Sequence, residues 1–282
     1  MIPAGAIKVT PETDIYPPIL HSDEFEEPVP LGAPINTRGA EDSPFIMPDG
    51  KTLYAWFTPS PSIPAENQLF DNVTGIYAYH KVEGGWTGPE RVWLAEPGTL
   101  SLDGCLFVQG NEAWFCSARE GHTGMNLFTA TFENGNWSGW GYAGDTLKNY
   151  EAGELHISPA GKMYFHSERA GGMGGLDVWT TEKSGGEWQE PVNFAVMNSP
   201  ENEGWPFISQ DEKEFWFTRI YMGSPALYRS TKEGDGWSEP ELMISQFAGE
   251  PALDDDGNLY FTHHFFENGT MLEADIYVAY RK

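Results

Sequence analysis

Apolar positions in this chain fall in short blocks closed off by turn-forming residues, without the three-and-four spacing of an amphipathic helix. Ser43-Pro44-Phe45-Ile46-Met47 and Trp205-Pro206-Phe207-Ile208-Ser209 read as strands, and each is followed by a tight turn and an aromatic strand. The turns include Asp49-Gly50, Gly110-Asn111, Ala160-Gly161 and Asp256-Gly257, where glycine supplies the positive φ a hairpin needs. The aromatic strands are Leu53-Tyr54-Ala55-Trp56-Phe57, Ala113-Trp114-Phe115, Met163-Tyr164-Phe165, Phe215-Trp216-Phe217 and Leu259-Tyr260-Phe261. Third strands are expected over residues 75–80, 126–132, 177–181, 226–230 and 275–279.

The pattern repeats. Trp86, Trp137, Trp188 and Trp237 stand 51, 51 and 49 residues apart, each in a Trp-Thr/Ser/Gln-Gly/Glu setting that begins a fourth strand. A period near fifty with four short strands per unit predicts an all-β fold, a five-bladed β-propeller with four-stranded blades. The last unit ends without its fourth strand, and Phe25-Glu26-Glu27-Pro28-Val29 matches Trp237-Ser238-Glu239-Pro240-Glu241 with Phe for Trp. Pairing of that segment with residues 275–279 would close the ring through the N-terminal strand and leave no exposed edge at the seam. Residues 23–282 then form one domain, and residues 1–22 an arm laid over it.

Composition agrees with strands and turns: 11 Trp, 12 Tyr and 17 Phe sit beside 32 Gly and 21 Pro. The formal net charge of −26 repels phosphate backbones, which disfavours nucleic acid as a partner. No apolar stretch is long enough for a membrane span, and residues 1–20 lack the pattern of an export signal.

Gly171-Gly172-Met173-Gly174-Gly175-Leu176-Asp177-Val178-Trp179, then Gly186-Glu187-Trp188-Gln189-Glu190-Pro191-Val192-Asn193, carry a resemblance. Together with residues 197–209 and Ser43-Pro44-Phe45-Ile46-Met47-Pro48-Asp49-Gly50, they resemble the TolB-type propeller repeat, in the form found beside OmpA-like domains of bacterial envelope proteins. The resemblance covers nearly everything from Phe25 onward and implies a periplasmic or secreted location. It specifies a scaffold, so it implies a binding or interaction module and no single chemistry. The glycine run lies between two strands, offers no helix N-terminus for a phosphate, and is expected to be a flexible loop.

Inner strands of a propeller converge on a central channel, and acids recur at their entrances: Glu41 and Asp42, Asp103, Glu151 and Glu154, Glu201 and Glu203, then Glu250. Such a mouth suits a small polar or carbohydrate ligand, a cation such as Ca2+, or a peptide segment. Asp42, Asp103 and Glu154 fall in successive units, a layout similar to the five-bladed arabinanase, β-xylosidase and invertase families. That similarity implies a glycoside hydrolase in which Asp42 is base or nucleophile, Asp103 the orienting group and Glu154 the proton donor. Aligning Pro44 with Cys105 and Leu155 puts both aspartates two residues ahead and Glu154 one ahead, which would turn Glu154 to the other side. Glu41, Glu203, Glu250, His156 and Trp205 complete the candidate ligand contacts, Trp205 as a stacking surface in the slot of Ser43.

His156, His166 and the His263-His264 pair can be drawn into a metal site, but no His-x-x-x-His or Cys-x-x-Cys spacing supports one, and structural roles are expected. No Gly-x-Ser-x-Gly elbow, phosphate loop or sialidase-type turn occurs. A Gly110-Asn111 hairpin sets Cys105 opposite Cys116 in a hydrogen-bonded pair, where a cross-strand disulfide is less comfortable. Two buried thiols are therefore expected, with a disulfide as the alternative.

Overall fold

The computed structural model describes residues 2–282, and the fold is all-β, arranged as successive antiparallel units. The first unit consists of Ala40–Ile46, Thr52–Thr58, Gly75–Val82 and Gly85–Arg91. The second is Ser101–Gln109, Glu112–Arg119, Asn126–Glu133 and Asn136–Tyr142. A third follows with Leu155–Ile157, Met163–Ser167, Asp177–Thr181 and Val192–Asn193. The fourth holds Glu203–Ile208, Glu214–Tyr221, Ser224–Glu233 and Glu241–Ser245. The last contains Ala248–Leu253, Leu259–Glu267 and Thr270–Ala279.

The repeat tryptophans do not all begin fourth strands. Trp86 and Trp137 do, whereas Trp188 pairs with Lys183, and Trp237 with Lys232, in short ribbons ahead of the outer strand. Pro191 and Pro240 follow those ribbons and have no amide hydrogen to continue the ladder. Pro89 in the first unit is absorbed by a register shift between Ala78 and His80.

Aromatic side chains from neighbouring units meet edge to face or tilted and form the core between them. Phe45 meets Phe107 at 5.6 Å, Trp114 meets Trp188 at 6.1 Å, and Tyr164 meets Phe215 at 5.0 Å. The glycine-rich loop is tied down, contrary to expectation: Met173 and Gly174 N–H groups donate to the Asp177 carboxylate. Gly174 is required there, because a Cβ would stand 2.0 Å from the Glu201 carbonyl oxygen.

Val29 and Pro30 pair with Val278 and Tyr277, and Phe25 bridges to Arg281. Phe25 is fully buried against Trp216, with the Arg281 guanidinium over its ring. Glu24 binds the Arg229 guanidinium through two bonds of 2.6 and 2.7 Å and reaches Arg281 at 2.8 Å. These pairs join the N-terminal segment to the chain's last residues.

Ahead of that segment, Ile19–Leu20 adds a strand to Glu241–Ser245. Residues 8–16 cross the last unit and bury polar groups against it. Lys8 bonds Asp275 and lies 3.3 Å from Glu273, the Val9 N–H donates to Glu273 at 2.7 Å, and Asp14 meets the buried His263 at 2.8 Å. Burial raises Glu273 to about 7 and also raises Asp275, so the Lys8 ammonium offsets two carboxyls that water cannot reach. Removing one partner of a buried pair leaves the other charge uncompensated. Lys8→Met is therefore expected to cost about 3 kcal/mol of unfolding free energy at pH 8, measured by urea denaturation. A midpoint equal to the wild type would mean the arm is not docked in solution.

Candidate functional site

Inner strands of four units share one irregularity. Their registers shift by one residue between Asp42 and Phe45, Gly104 and Phe107, Gly204 and Phe207, and Gly249 and Ala252. The residue at each shift is non-glycine yet left-handed: Ser43 at φ 47°, Cys105 at 53°, Trp205 at 52° and Glu250 at 61°. Such backbone costs about 1–3 kcal/mol per residue, and bulges of this kind re-aim side chains beside functional sites. In the third unit the equivalent residue is Glu154, whose carbonyl accepts the His166 N–H while Gly153 N–H donates to His166. The five side chains thus turn toward a common cavity of about 50 Å³.

This alignment corrects the sequence register. Ser43, Cys105 and Glu154 are equivalent, so Asp103 matches Glu41 and not Asp42, and Glu154 is not turned away from Asp42's side. Glu41, Asp103 and Glu203 occupy one slot, on the opposite strand face, and each is held locally. Glu41 accepts the Thr37 N–H and hydroxyl at 2.9 and 2.6 Å, and burial pushes it to about 7. Asp103 accepts from Ser117 at 2.6 Å and Arg119 at 2.8 Å. Glu203 accepts from Ser199 and from Arg219, the latter at 2.7 Å, and burial raises it.

The same bulge overturns the expectation of free thiols. Cys105 no longer lies directly opposite Cys116, which pairs with Gly104. The left-handed turn brings the two cysteines to a Cα separation of 5.2 Å, within disulfide range, and they are bonded.

Asp42, Glu250, Thr262 and His264 cluster at the cavity. Ser43 N–H lies 2.8 Å from both Asp42 Oδ1 and Glu250 Oε2, and the Thr262 hydroxyl lies 3.2 and 2.8 Å from the same two oxygens. His264 Nε2 stands 3.9 Å from Asp42 Oδ1, and its Nδ1 is buried without a partner. One ligand atom each from Asp42, Glu250 and His264 lies within 4.8 Å of the others. Thr262 escaped sequence reading; its signal is the two-residue spacing from His264 on a strand, which puts both on one face.

Two carboxyls so close cannot both ionise cheaply. Burial works against Asp42's charge, but the hydrogen bond from Glu250, the His264 ring, Ser43 N–H and Thr262 hold it below the usual carboxylate range. Burial and then Asp42's charge push Glu250 well above that range and Glu154 to about 8. The site therefore holds one anion beside two protonated acids at neutral pH.

His166 has backbone N–H groups of Glu154 and Trp205 at 3.2 Å from its two ring nitrogens, and burial lowers it to about 4. Its ring lies 5.2 Å from that of half-buried Trp205. His156 lines the same cavity but accepts the Ile208 N–H at 2.8 Å and stacks on Phe207 at 4.4 Å. Burial lowers it to about 3, so both imidazoles are neutral. His263 faces the opposite way, toward Asp14.

No protein-family model and no curated protein sequence matches the chain. Solved structures do. An endo-arabinase from Bacteroides thetaiotaomicron superposes with a TM-score of 0.55 at 14% identity, covering 90% of this chain and 96% of its own. A thermostable family-43 glycoside hydrolase gives 0.52 at 11% identity, covering 88% and 91%. TolB from Acinetobacter baumannii gives 0.49 at 12% identity over 88% of this chain and 56% of its own, too low to carry weight. At these identities the likeness fixes the propeller-type fold alone. Among the described residues no helix is long and apolar enough to cross a membrane.

A pH dependence follows. Glu41, Glu273 and Glu154 bind protons more tightly folded than unfolded, so their contribution is full below about pH 4.5 and is lost as pH rises through about 7 and 8. His156 and His166 act oppositely, but only between their lowered values and about pH 6.5. Stability is expected to fall between pH 6.5 and 8, and to fall less steeply in Glu154→Gln. Thermal melts across that interval check this; a midpoint rising from 6.5 to 8 contradicts the assigned protonation.

Proposed function

We propose that residues 23–282 form a five-bladed propeller latched by Phe25 to Pro30 on the final strand. We further propose that it acts as a binding module whose acidic channel mouth takes a small polar or cationic ligand. The observation that carries the reading is the meeting of Asp42, Glu250 and His264 donor atoms within 4.8 Å. The adjoining cavity of about 50 Å³ suits an ion with its water better than a sugar ring. Two carboxylates and the Thr262 hydroxyl suit Ca2+, while the imidazole favours a borderline metal such as Mn2+ or Zn2+. Binding any of them would displace the proton kept by Glu250. A ligand at a hundred times its Kd stabilises the folded state by about 2.7 kcal/mol. Melting with each cation, then with chelator, should show a raised Tm that Asp42→Asn and Glu250→Gln abolish. No shift with any of the three removes the cation from this reading.

A second reading is favoured by one observation: Asp42 and Glu154, close enough for the charge of one to raise the other, are driven apart in acidity, Asp42 low and Glu154 up to about 8. That is the division of labour a glycoside hydrolase needs, one carboxylate to attack or activate water and one acid to protonate the leaving oxygen. Asp42 would serve as base or nucleophile and Glu154 as proton donor. Asp103, tied to Arg119, would stand outside the reacting pair, and Glu250 would take its place beside Asp42. The arabinanase named above makes aryl arabinosides the first substrates to try. Turnover by the wild type should drop about 10²–10⁴-fold in Glu154→Gln. Absence of turnover on aryl arabinosides, xylosides and glucosides rejects this reading and leaves the binding module.

A further inference from the structure

The repeats provide an internal control for what packing alone demands. In three units a lysine pairs with the repeat tryptophan and lies over its ring: Lys81 on Trp86, Lys183 on Trp188 and Lys232 on Trp237, at 5.9, 4.7 and 4.8 Å. The second unit breaks the rule. Phe132 pairs with Trp137 and leaves 44% of itself in water. Two more positions depart nearby. Three residues after the tryptophan, the other units have Pro89, Pro191 and Pro240, and the second has Trp140. Val92 donates to the third strand like Ala143 and Phe194, but the next residue is Trp93 where those are followed by Gly144 and Ala195. Trp93 is 65% exposed, with the Arg91 guanidinium 5.2 Å above its ring.

All three departures line one groove of about 940 Å³ between the first two units, outside the channel. The corresponding groove between the third and fourth units, about 680 Å³, also has aromatic residues, Tyr164, Phe194 and Trp237, but adds lysines and acids such as Lys183, Lys232 and Glu212 where the first groove has Phe132, Trp140 and Trp93. Trp140 is half-buried and packs on the core, whereas the Phe132 and Trp93 rings are exposed; exposed aromatic rings lower solubility, so a ligand is the physical reason to keep those two. Planar polar groups border the rings: Asn136, Arg91, and His80 facing Glu90 at 3.6 Å.

We propose that this groove binds a neutral oligosaccharide. Flat rings receive the C–H faces of sugars, and the amide, guanidinium and carboxylate beside them receive the hydroxyls. A net charge of −26 weighs against polyanionic glycans. The size fits an extended chain rather than a single sugar. The site is independent of whether the channel holds a cation or cleaves a glycoside.

The test is native affinity electrophoresis through gels containing soluble arabinan, xylan, mixed-linkage glucan or galactomannan. Wild type should be retarded by at least one. Phe132→Lys restores the residue of the other units and so keeps the fold, and Trp93→Ala alters an exposed side chain; each should weaken retention about tenfold. Glu154→Gln should be retained like the wild type. Free migration of the wild type in all four gels overturns the proposal, as does equal retention of both aromatic variants. Loss of retention in Glu154→Gln would move binding to the channel and overturn it too, and so would binding of a proline-rich peptide without any polysaccharide.

Discussion

The left-handed residue inserted into four of the five inner strands governs the rest of the site. An ideal strand would alternate its side chains between two faces and leave the channel mouth lined by whatever stood at the edge. The one-residue shift after Asp42, Gly104, Gly204 and Gly249 re-aims the next side chain inward and turns its predecessor's neighbours away. It brings Glu250 to Asp42, creates the geometry for the Cys105–Cys116 disulfide, and removes Asp103 and Glu203 to arginine-lined slots. Strain at four non-glycine residues is a repeated cost that packing alone does not explain.

A chain this acidic must decide where its buried carboxyls find countercharge. Four do so through specific cations: Asp103 with Arg119, Glu203 with Arg219, and Glu273 and Asp275 with Lys8. The channel cluster differs. Asp42, Glu154 and Glu250 have only neutral imidazoles and hydroxyl or amide donors around them, so protonation takes the place of a countercharge. Two acids kept protonated by burial and by the neighbouring Asp42 anion are poised to exchange a proton for a cation or to pass one to a substrate.

Repeat proteins also let one part of the molecule calibrate another. Where the lysine-over-tryptophan pair is kept between the third and fourth units, the outer groove mixes charged and aromatic groups; where it is replaced by Phe132, the groove gains exposed aromatic rings. The same logic applies at the central cavity, where Ser43, Cys105, Glu154, Trp205 and Glu250 share one backbone position and only the two glutamates share a side-chain type. Scaffold positions repeat, and chemistry sits in the exceptions.

The tryptophan spacing, the aromatic strands and the match of Phe25 to Trp237 were readable because strand periodicity and turn chemistry are local. Glu154, Glu250 and Asp42 were readable as acids at strand entrances, but their grouping was not. Gly104, Gly204 and Gly249 precede the left-handed residue and Pro44, Pro206 and Pro251 follow it, but neither neighbour announces a positive φ at the residue between them. That extra residue breaks the hairpin count that sets Cys105 opposite Cys116, and aligning Pro44 with Cys105 instead of Leu106 makes Asp103 read as the counterpart of Asp42. Lys8 and Asp14 find Asp275 and His263 across some 250 residues of chain, a proximity set by how the N-terminal segment packs on the last unit. Sequence alone determined the units and their order; which side chains meet depended on backbone geometry that forms only when the units pack together.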